Sequence, residues 1–381
     1  MYSRIMDYGK KALEKHALLK GKIAISLKDA PDTAEKLSTY YTPGVGAVSS
    51  RIAEHPEEAR DYTWLNNNVA VISDGSAVLG LGNIGPQASL PVMEGKAMLF
   101  KHFAGIDAFP IVLDVHTADE IVTTIKAIAP SFGGINLEDI AAPICFEVEE
   151  RLKRELDIPV MHDDQHGTAI VVLASLINAC KVTGKQLSEC KIVLIGAGAA
   201  GVAVAKLLHL YAQPNIIAVD SKGIINIDRT DLNDEKRQLL SFSKQTKSGT
   251  LADALLGADI FIGVSRANVL TKGMIKTMSK NPIIIAMANP VPEIMPEDAR
   301  AAGAAVVATG RSDFPNQVNN ALAFPGIFRG ALDNRVTTIT DEHKIAAAQV
   351  IASLVEQPDA EHIVPSVLDP RLVPAIAAII R

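Results

Sequence analysis

Two pairs of neighbouring carboxylates stand where apolar, strand-like segments of the sequence end. Glu138 and Asp139 close the segment GGINLEDI, and Asp163 and Asp164 follow PVMH in PVMHDDQHG. Ligands of open α/β sheets bind beyond the carboxyl ends of the strands, where four acids would repel one another unless a cation lay among them. Their oxygens suit Mg²⁺ or Mn²⁺. Each pair alone is typical of helix capping, but both pairs together with a dinucleotide motif favour a metal site.

A glycine-rich turn predicts a site for a dinucleotide. It follows the apolar segment KIVLI, opens a helix, and comprises Gly196, Ala197, Gly198, Ala199, Ala200 and Gly201. The three glycines allow a tight turn, the approach of a pyrophosphate and close helix–strand packing, and the helix N–H groups receive the phosphates. Asp220 ends the next strand and can accept a hydrogen bond from a ribose hydroxyl, which favours NAD. Lys222 could instead meet a 2′-phosphate, so NADP stays open, and a turn without a ligand is the structural alternative.

Two residues are candidates for proton transfer. Lys96 lies among apolar residues in PVMEGKAMLFK, on a helix that we expect Pro91 to open. Burial beside a metal would lower its pKa and let it exchange protons near neutral pH, whereas a surface lysine with its stem along the protein is the alternative. Tyr41, in the turn-rich YYTPGV, can protonate a carbanion or an enol if a cation holds its pKa down, or it can be a half-buried packing residue.

Three asparagines and two histidines complete the candidate residues. Asn289 ends a strand in AMANPVPEI, and Asn319 and Asn320 begin a helix in FPNQVNNALAFPG. These amides could contact nicotinamide or substrate, or they could cap helices. His162 and His166 flank the second acid pair, and we expect them to orient the acids, or to take no part, rather than to bind the metal.

The elements that would position these residues alternate between strand and helix. After an amphipathic helix ending near Leu19, the alternation is expected to continue to about residue 160, with Thr117 and Glu120 forming a capping box. This order predicts an α/β protein of two domains. An N-terminal parallel-sheet α/β domain spans 1–160, and a C-terminal Rossmann-type dinucleotide-binding domain with terminal helices spans 161–381.

Composition narrows the class of protein. The 381 residues suffice for two cores, and the net charge of −6 without a basic stretch argues against nucleic acid as a partner. The cysteines, Cys145, Cys180 and Cys190, fit no disulfide framework or zinc spacing, which indicates a reducing compartment. The N-terminus lacks the core of a signal peptide, and we expect no apolar run of membrane-spanning length. The sequence therefore predicts a cytoplasmic protein without a membrane partner.

From about Tyr40 to Asp333 the chain resembles the malic enzyme family in its short bacterial form. The resemblance rests on a series of motifs in one order, namely YTPGVG, ISDGSAVLGLGNIG, PVMEGKAMLFK, NLEDI, MHDDQHGTA, IGAGAAG, MANPVPEI and NQVNNALAFPG. It implies oxidation of L-malate by NAD(P)⁺ and decarboxylation to pyruvate and CO₂ with Mg²⁺ or Mn²⁺. It also implies a homodimer, which could use the N-terminal helix, and no appended domain is expected beyond Arg381.

The resemblance implies roles for individual residues. Tyr41 is implied to protonate the enolpyruvate carbon, Lys96 to act as general base on the malate hydroxyl and Asp163 to assist the proton steps. The implied metal ligands are Glu138, Asp139 and Asp164; the implied cofactor and substrate contacts are Asn289 and Asn320, with Thr168 as a further candidate for the cofactor.

The chain departs from the family pattern at one position. Larger members carry an arginine for the malate carboxylate where this chain has Ala77, so Arg311 or helix N-terminal amides are the candidates for that role. Two other functions compete with malate oxidation. One is a metal-dependent oxaloacetate decarboxylase on the same scaffold, against which the intact glycine turn argues. The other is a non-catalytic NAD-binding or sensor protein, which would not need the full set of Tyr41, Lys96 and the acids.

Overall fold

The computed structural model describes residues 8–78, 80–243 and 245–381. Its first part contains short helices and no strand up to residue 67. These helices are α1 (Tyr8–Leu19), α2 (Ala34–Tyr40), α3 (Val45–Glu54) and α4 (Ala59–Tyr62), with 3₁₀ turns at Pro56–Glu58 and Trp64–Asn66. Thr33 caps α2 by accepting a hydrogen bond from the Lys36 backbone N–H. The expected alternation of strand and helix is therefore wrong for the residues before 68.

Four parallel strands form the first sheet, in the order β2-β1-β3-β4. They are β1 (Asn68–Ser73), β2 (Asp107–Val112), β3 (Ile135–Leu137) and β4 (Val160–His162), and they alternate with α5 (Pro86–Ala104), α6 (Ala118–Ile128) and α7 (Ile144–Glu155). Leu137 pairs with His162 at the carboxyl ends of β3 and β4. This register places the chain positions of Glu138 and Asp163 side by side.

A single long helix connects the two sheets. This helix, α8 (Asp163–Thr183), has most of its residues buried in the main hydrophobic core. It is long and apolar enough to cross a membrane by composition, so the expectation that no apolar run reaches that length is wrong. Its surface is mostly covered by other parts of the chain, as in the central helix of a globular protein.

The second sheet has six strands in the order β10-β9-β8-β5-β6-β7. They are β5 (Lys191–Ile195), β6 (Asn215–Asp220), β7 (Gly223–Ile224), β8 (Ile260–Gly263), β9 (Ile283–Ala286) and β10 (Val306–Thr309). Only β7 is antiparallel to its neighbour. Strands β6 and β8 flank β5 on opposite sides, so the direction of strand addition reverses at β5. In a doubly wound sheet, the ligand crevice opens beyond the carboxyl end of the strand at such a reversal.

Helices cover both faces of this second sheet and close the chain. They are α9 (Ala199–Ala212), α10 (Asp234–Ser243), α11 (Leu251–Leu255), α12 (Lys272–Ile275), α13 (Pro296–Ala301), α14 (Phe324–Asp333), α15 (Asp341–Ser353) and α16 (Leu372–Ala377), with 3₁₀ turns at Leu187–Glu189 and Asn320–Leu322; a further 3₁₀ turn, Ala129–Ser131, follows α6 in the first sheet. Among the helix pairs, α8 packs most extensively on α9 and then on α15. The α/β fold class predicted from the sequence is confirmed.

One predicted helix start is wrong. Helix α5 begins at Pro86 rather than Pro91, because Gly85 takes a positive φ of 80° that few other residues adopt and Pro86 fits the first helical turn. Helix α8 begins at Asp163, directly after β4, so the second acid pair lies in its first turn. Acidic side chains are stabilised at that end of a helix by its dipole.

Candidate active site

Lys96 is buried at the centre of the acid cluster. It projects from α5 with only 7 % of its surface exposed. Its Nζ atom lies 2.6 Å from Asp163 Oδ2 and 2.8 Å from Glu138 Oε1. The ring of Phe324 covers the ammonium at 4.3 Å from Nζ to the ring centroid, within the range of a cation–π contact. The alternative of a surface lysine is therefore wrong.

The charges of this cluster determine which group holds the proton. Burial acts to lower the pKa of Lys96, but the nearby carboxylates of Asp163, Glu138 and Asp164 outweigh it and raise the pKa above its ordinary value. The lowering expected beside a metal stays a prediction for the metal-bound site. Burial also raises the pKa of Glu138, with Lys96 opposing and the other acids adding to the rise. Burial likewise raises the pKa of Asp163, against the attraction of Lys96, so the electrostatic cost of gathering these acids without a cation falls on Glu138 and Asp163.

The two acid pairs are held together by backbone geometry. The Asp139 N–H donates a hydrogen bond of 2.7 Å to Asp164 Oδ2, and the Asn136 amide donates one of 3.0 Å to Glu138 Oε2. Asp139 has a φ of +53°, a left-handed conformation that is uncommon outside glycine and is often found at functional sites. The three predicted ligands are therefore neighbours, and their hard oxygen atoms fit Mg²⁺ or Mn²⁺.

The oxygen atoms of the acid cluster do not converge on one point. Among the described residues, one group of three or more histidine, cysteine or acidic side chains has ligand atoms that all lie within 4.8 Å of one another, namely His55, Glu57 and Glu58. That group lies in the N-terminal segment and was not predicted. In the acid cluster, Lys96 occupies the space between Glu138 and Asp163. The all-oxygen donor set of the acid cluster suits Mg²⁺ or Mn²⁺ better than the group at His55, Glu57 and Glu58, which includes an imidazole.

Glu149 fixes the segment that carries the second acid pair, and the sequence reasoning missed it. From α7, its Oε1 accepts a hydrogen bond of 2.9 Å from the His162 backbone N–H, and its Oε2 lies 2.8 Å from His166 Nε2. Burial lowers the pKa of His166 to about 4, so the neutral ring contributes a hydrogen bond rather than a charge. His166 therefore orients this segment, as predicted, without lying among the candidate ligands.

The signal that could have found Glu149 is its place in the helix. The buried residues of α7 are Cys145, Val148, Glu149 and Leu152. This spacing is that of the apolar stripe of an amphipathic helix. A carboxylate on such a stripe requires buried partners, which are here His166, Lys153 and the backbone of His162.

Asn320 approaches the acid cluster through a glycine of α8. A Cβ atom added to Gly167 would lie 1.9 Å from Asp163 Oδ1 and 2.9 Å from the Asn320 Cβ. Only a residue without a side chain fits there, and Asn320 thus lies beside Asp163. Asn319 accepts a hydrogen bond of 2.9 Å from the Ala321 N–H, so capping explains that residue. Thr168 follows half-buried in the same helix.

The glycine turn has the features of a dinucleotide site. Gly196 has a φ of +113°, and a Cβ on Gly201 would lie 1.9 Å from the Gly196 carbonyl oxygen, so both positions require glycine. A Cβ on Gly198 would meet no atom within 4 Å. The open side of Gly198 at the start of α9 is where a pyrophosphate approaches in such turns. The residues present therefore fit the predicted NAD(P) site.

Asp220 is engaged by two cations that the sequence reasoning did not consider. Arg229 donates to both of its carboxylate oxygens, at 2.8 and 3.0 Å, and Lys236 Nζ lies 2.7 Å from Oδ2. Burial alone would raise the pKa of Asp220, but Arg229 and Lys236 lower it to about 2. Lys222 instead pairs with Asp231. The carboxylate is thus charged but not free, and three cations stand near it.

Asn289 lies exposed at the rim of the cleft. A Cβ on Gly80 would lie 2.4 Å from the Asn289 carbonyl oxygen, and one on Gly310 would lie 3.0 Å from its amide nitrogen. The Arg311 guanidinium donates 3.1 Å to the Pro290 carbonyl oxygen and pairs with Asp313. Arg311 is thus beside Asn289 but already paired with a carboxylate.

One predicted residue, Tyr41, lies outside this cluster, whereas the loop of Ala77 contacts it. Tyr41 follows α2, is 67 % exposed, and its phenol has no hydrogen-bond partner within the described ranges. The alternative of a half-buried packing residue is therefore wrong. Ala77 lies nearer, since its backbone N–H donates 2.9 Å to the Asp139 carbonyl oxygen. The Ser76 hydroxyl oxygen accepts a further hydrogen bond of 2.9 Å from the Ala141 N–H. This loop supports the first acid pair through its backbone.

Comparisons with known proteins agree with this geometry. The family model "Malic enzyme, N-terminal domain" matches residues 20–153, and "Malic enzyme, NAD binding domain" matches residues 165–379. The bifunctional malic/malolactic enzyme of Bacillus subtilis is 56 % identical over 376 residues, which cover 98 % of this chain and 92 % of that protein. The NADP-dependent malic enzyme of Halomonas elongata is 49 % identical, covering 91 % and 82 %.

A solved structure extends the likeness to three dimensions. The NAD-dependent malic enzyme of Thermotoga maritima superposes with a TM-score of 0.93 at 52 % identity, covering 97 % of this chain and 98 % of that one. The arrangement of two sheets is thus shared with an NAD-dependent malic enzyme. The two family matches together span most of the chain and include the predicted site residues other than Asp163 and Asp164, which lie between the two matches. The chain therefore belongs to the malic enzyme family.

Proposed function

We propose that this protein oxidises and decarboxylates L-malate to pyruvate and CO₂, with reduction of NAD⁺ or NADP⁺ and with Mg²⁺ or Mn²⁺. The observation that carries the proposal is the buried contact of Lys96 with Glu138 and Asp163, at the carboxyl ends of β3 and β4. When bound, the cation supplies a Lewis acid for the C2 oxygen and the nicotinamide accepts a hydride.

The acid cluster divides into metal ligands and proton-transfer residues. Glu138, Asp139 and Asp164 are proposed to hold the cation. Asp163 Oδ2 lies 2.6 Å from Lys96 Nζ, within hydrogen-bond reach, and accepts a proton from the ammonium. The neutral Lys96 amine then takes the proton of the malate hydroxyl. Tyr41 is proposed to protonate the C3 carbon of the enol left after CO₂ departs.

Positioning of the cofactor and substrate is assigned to residues around the cleft. Lys96, Asn289 and Asn320 are proposed to contact the substrate. The proposed cofactor contacts are Thr168, Gly196, Ala197, Gly198, Ala199, Ala200, Gly201, Asp220 and Asn289. The open side of Gly198 and the placement of Asn289 against Gly80 and Gly310 support these assignments.

The test is a product balance with purified protein and Mn²⁺. L-Malate is supplied with NAD⁺ or NADP⁺ separately, and reduced nicotinamide, pyruvate and lactate are followed together. Equal amounts of reduced nicotinamide and pyruvate support the proposal and identify the cofactor. If supplied oxaloacetate yields pyruvate while malate yields no reduced nicotinamide, the proposed function is replaced by that of a metal-dependent oxaloacetate decarboxylase.

A second candidate function is the conversion of malate to lactate. The Bacillus subtilis relative, at 56 % identity, is named a bifunctional malic/malolactic enzyme. If this chain shares that activity, lactate accumulates with added NAD⁺ while little reduced nicotinamide is released, because the hydride returns to pyruvate in the same site. Omitting NAD⁺ should abolish this lactate, and lactate that forms without any nicotinamide would exclude the route.

We further propose that the chain divides at 160–165 into domains 1–160 and 161–381, and that it acts in the cytoplasm as a homodimer. The separate sheets and the two family matches support the division. Three cysteines that are buried and unbridged support a reducing compartment. Sedimentation analysis tests the dimer, and fractionation of the source cells tests the location.

A further inference from the structure

Glu293 belongs to the MANPVPEI motif, and the proposed function leaves it without a role. It lies between β9 and α13, and none of its surface is exposed. Burial raises the pKa of its carboxyl, and the groups that oppose this rise are hydrogen-bond donors rather than a lysine or an arginine. A buried carboxylate costs free energy unless its oxygen atoms accept hydrogen bonds. Its donors therefore identify what Glu293 holds in place.

The carboxylate of Glu293 joins two loops. Its Oε1 accepts a hydrogen bond of 2.9 Å from the Ser265 N–H, and its Oε2 accepts one of 3.0 Å from the Ala288 N–H. Ser265 follows β8 and Ala288 follows β9, and these strands are parallel neighbours in the second sheet. The link therefore lies beyond the carboxyl ends of the strands, at the edge where ligands of such sheets bind.

A glycine at the end of β8 makes room for this carboxylate. A Cβ atom added to Gly263 would lie 2.4 Å from Glu293 Cδ, closer than two such carbon atoms can approach. An alanine there would push the carboxylate away from at least one of its two donors. The link thus depends on a glycine and a glutamate that are distant in the sequence.

The loop after β8 lies directly behind the glycine turn. The Val264 N–H donates a hydrogen bond of 2.9 Å to the Ile195 carbonyl oxygen, at the end of β5. A Cβ atom on Gly196 would lie 2.5 Å from the Val264 carbonyl oxygen, so the two backbones are in contact. The position of Ser265 relative to the turn is thus set through Val264, by contacts that do not involve Glu293.

The loop after β9 carries Asn289, the proposed contact for cofactor and substrate. The hydrogen bonding between β8 and β9 continues one residue short of Ala288, where the Met287 N–H donates 2.9 Å to the Gly263 carbonyl oxygen. Beyond that point, Glu293 is a buried tie between Ala288 and the loop behind the glycine turn. Asn289, the next residue, takes its position from this tie.

We propose that Glu293 is a positioning residue for hydride transfer, which holds Asn289 in a fixed place relative to the glycine turn and thereby places the nicotinamide beside C2 of malate. The inference rests on the proposed function, in which Asn289 contacts the cofactor. Glu293 itself touches neither ligand, because it is fully buried behind the cleft. One N–H group comes from each loop, so the link requires both carboxylate oxygen atoms as acceptors.

The test compares two ligands that differ by the nicotinamide. In Glu293→Gln the amide has one acceptor oxygen, so the link is broken whichever way the amide points. The Kd of NADH is expected to rise about 3–10-fold, the effect of one hydrogen bond, while the Kd of ADP-ribose stays within about twofold because Val264 still supports the turn. Titration calorimetry measures both, with the 2′-phosphorylated ligands if the protein uses NADP⁺.

An unchanged ratio of the two Kd values would overturn the proposal. With or without a loss of stability, that result would make Glu293 a purely structural residue. Glu297→Gln is the matched control, since Glu297 is exposed in the first turn of α13 and should change neither Kd. Wild-type turnover of malate in the same series tests the proposed function, whose failure is thereby visible on its own.

A second variant breaks the link from its other side. Gly263→Ala keeps Glu293 but places a Cβ atom against its carboxylate, so the Kd of NADH should rise by a similar factor. The double variant should bind NADH little more weakly than either single variant, because substitutions that break the same link are not additive. Two factors that multiply in the double variant would overturn the proposal.

The reaction itself gives a further readout. Malate oxidation by Glu293→Gln should fall about 10–100-fold, since misplacement of a reacting group by about 1 Å has effects of this size. Decarboxylation of supplied oxaloacetate requires the metal but no hydride, so it should fall much less. If both activities fall by the same factor, the variant has merely lost folded protein, and the proposal is wrong.

Discussion

Replacing Glu149 with Gln should weaken metal binding from outside the ligand set. Glu149 accepts hydrogen bonds from the His162 N–H and from His166, on either side of the second acid pair. The amide of Gln has one acceptor oxygen for these two donors and no charge to pair with Lys153, so one buried hydrogen bond to a charged group is lost together with that ion pair. Such a bond contributes about 1.5–3 kcal/mol. The free energy of unfolding should fall by that amount.

Glu149 should affect function by positioning the metal ligands rather than by contributing charge at the metal. Loss of the bond frees the start of α8, where Asp163 and Asp164 lie, and partners of metal ligands typically change metal affinity about 10–100-fold when mutated. We therefore expect a rise of that size in the Mn²⁺ concentration for half-maximal malate oxidation. Urea unfolding and Mn²⁺ titration at saturating malate and NAD⁺ measure the two effects.

The same helix offers a matched control. Glu147 is exposed and pairs with Arg151 on the surface, so Glu147→Gln should change stability by less than about 1 kcal/mol and leave Mn²⁺ activation unchanged. If Glu149→Gln destabilises the fold but keeps the wild-type Mn²⁺ dependence, Glu149 has a purely structural role and the reasoning fails.

Three further predictions concern the cofactor and the metal. Gly201→Ala should lower the free energy of unfolding by about 1–3 kcal/mol because its Cβ would overlap the turn. Gly198→Ala should keep wild-type stability but weaken NAD⁺ binding in a fluorescence titration. Equal losses of stability in the two variants would contradict the assignment. Mn²⁺ should raise the Tm of the wild type but not of Asp164→Asn, and an equal rise in both would remove Asp164 from the ligands. Arg229→Ala should raise the ratio of kcat/KM for NAD⁺ over NADP⁺, because it removes a cation near the ribose and frees Asp220; an unchanged ratio would place Arg229 outside cofactor selection.

The sequence predicted the parts of the site that depend on local pattern. The capping box of Thr117 and Glu120 is present. Each acid pair directly follows a strand that the preceding apolar run forms. The start of α5 was missed because Pro91 suits a first helical turn as well as Pro86 does, and only the positive φ of Gly85 distinguishes them. Local rules could not choose between the two prolines.

Contacts distant in sequence were beyond such reasoning. Arg229 and Lys236 lie in a polar stretch whose sequence pattern predicts no contact with the cofactor site. In the folded chain, both side chains nevertheless donate hydrogen bonds to Asp220. The sign of the Lys96 pKa shift likewise depended on how many acids surround the ammonium, because burial and attraction act in opposite directions. The exposure of Tyr41 could not be read from its motif, since YTPGVG describes a turn and not what covers it.

One packing interface fixes the metal candidates relative to the dinucleotide turn. The first turn of α8 carries Asp163 and Asp164, and α9 begins within the glycine turn. These two helices pack on each other more extensively than any other pair and lie in one apolar core. Because interiors are close-packed and deform little, the apolar faces of α8 and α9 set the distance across which a hydride must move. Changes in that interface, far from any polar group, should therefore lower kcat while leaving the separate affinities for Mn²⁺ and NAD⁺ close to those of the wild type.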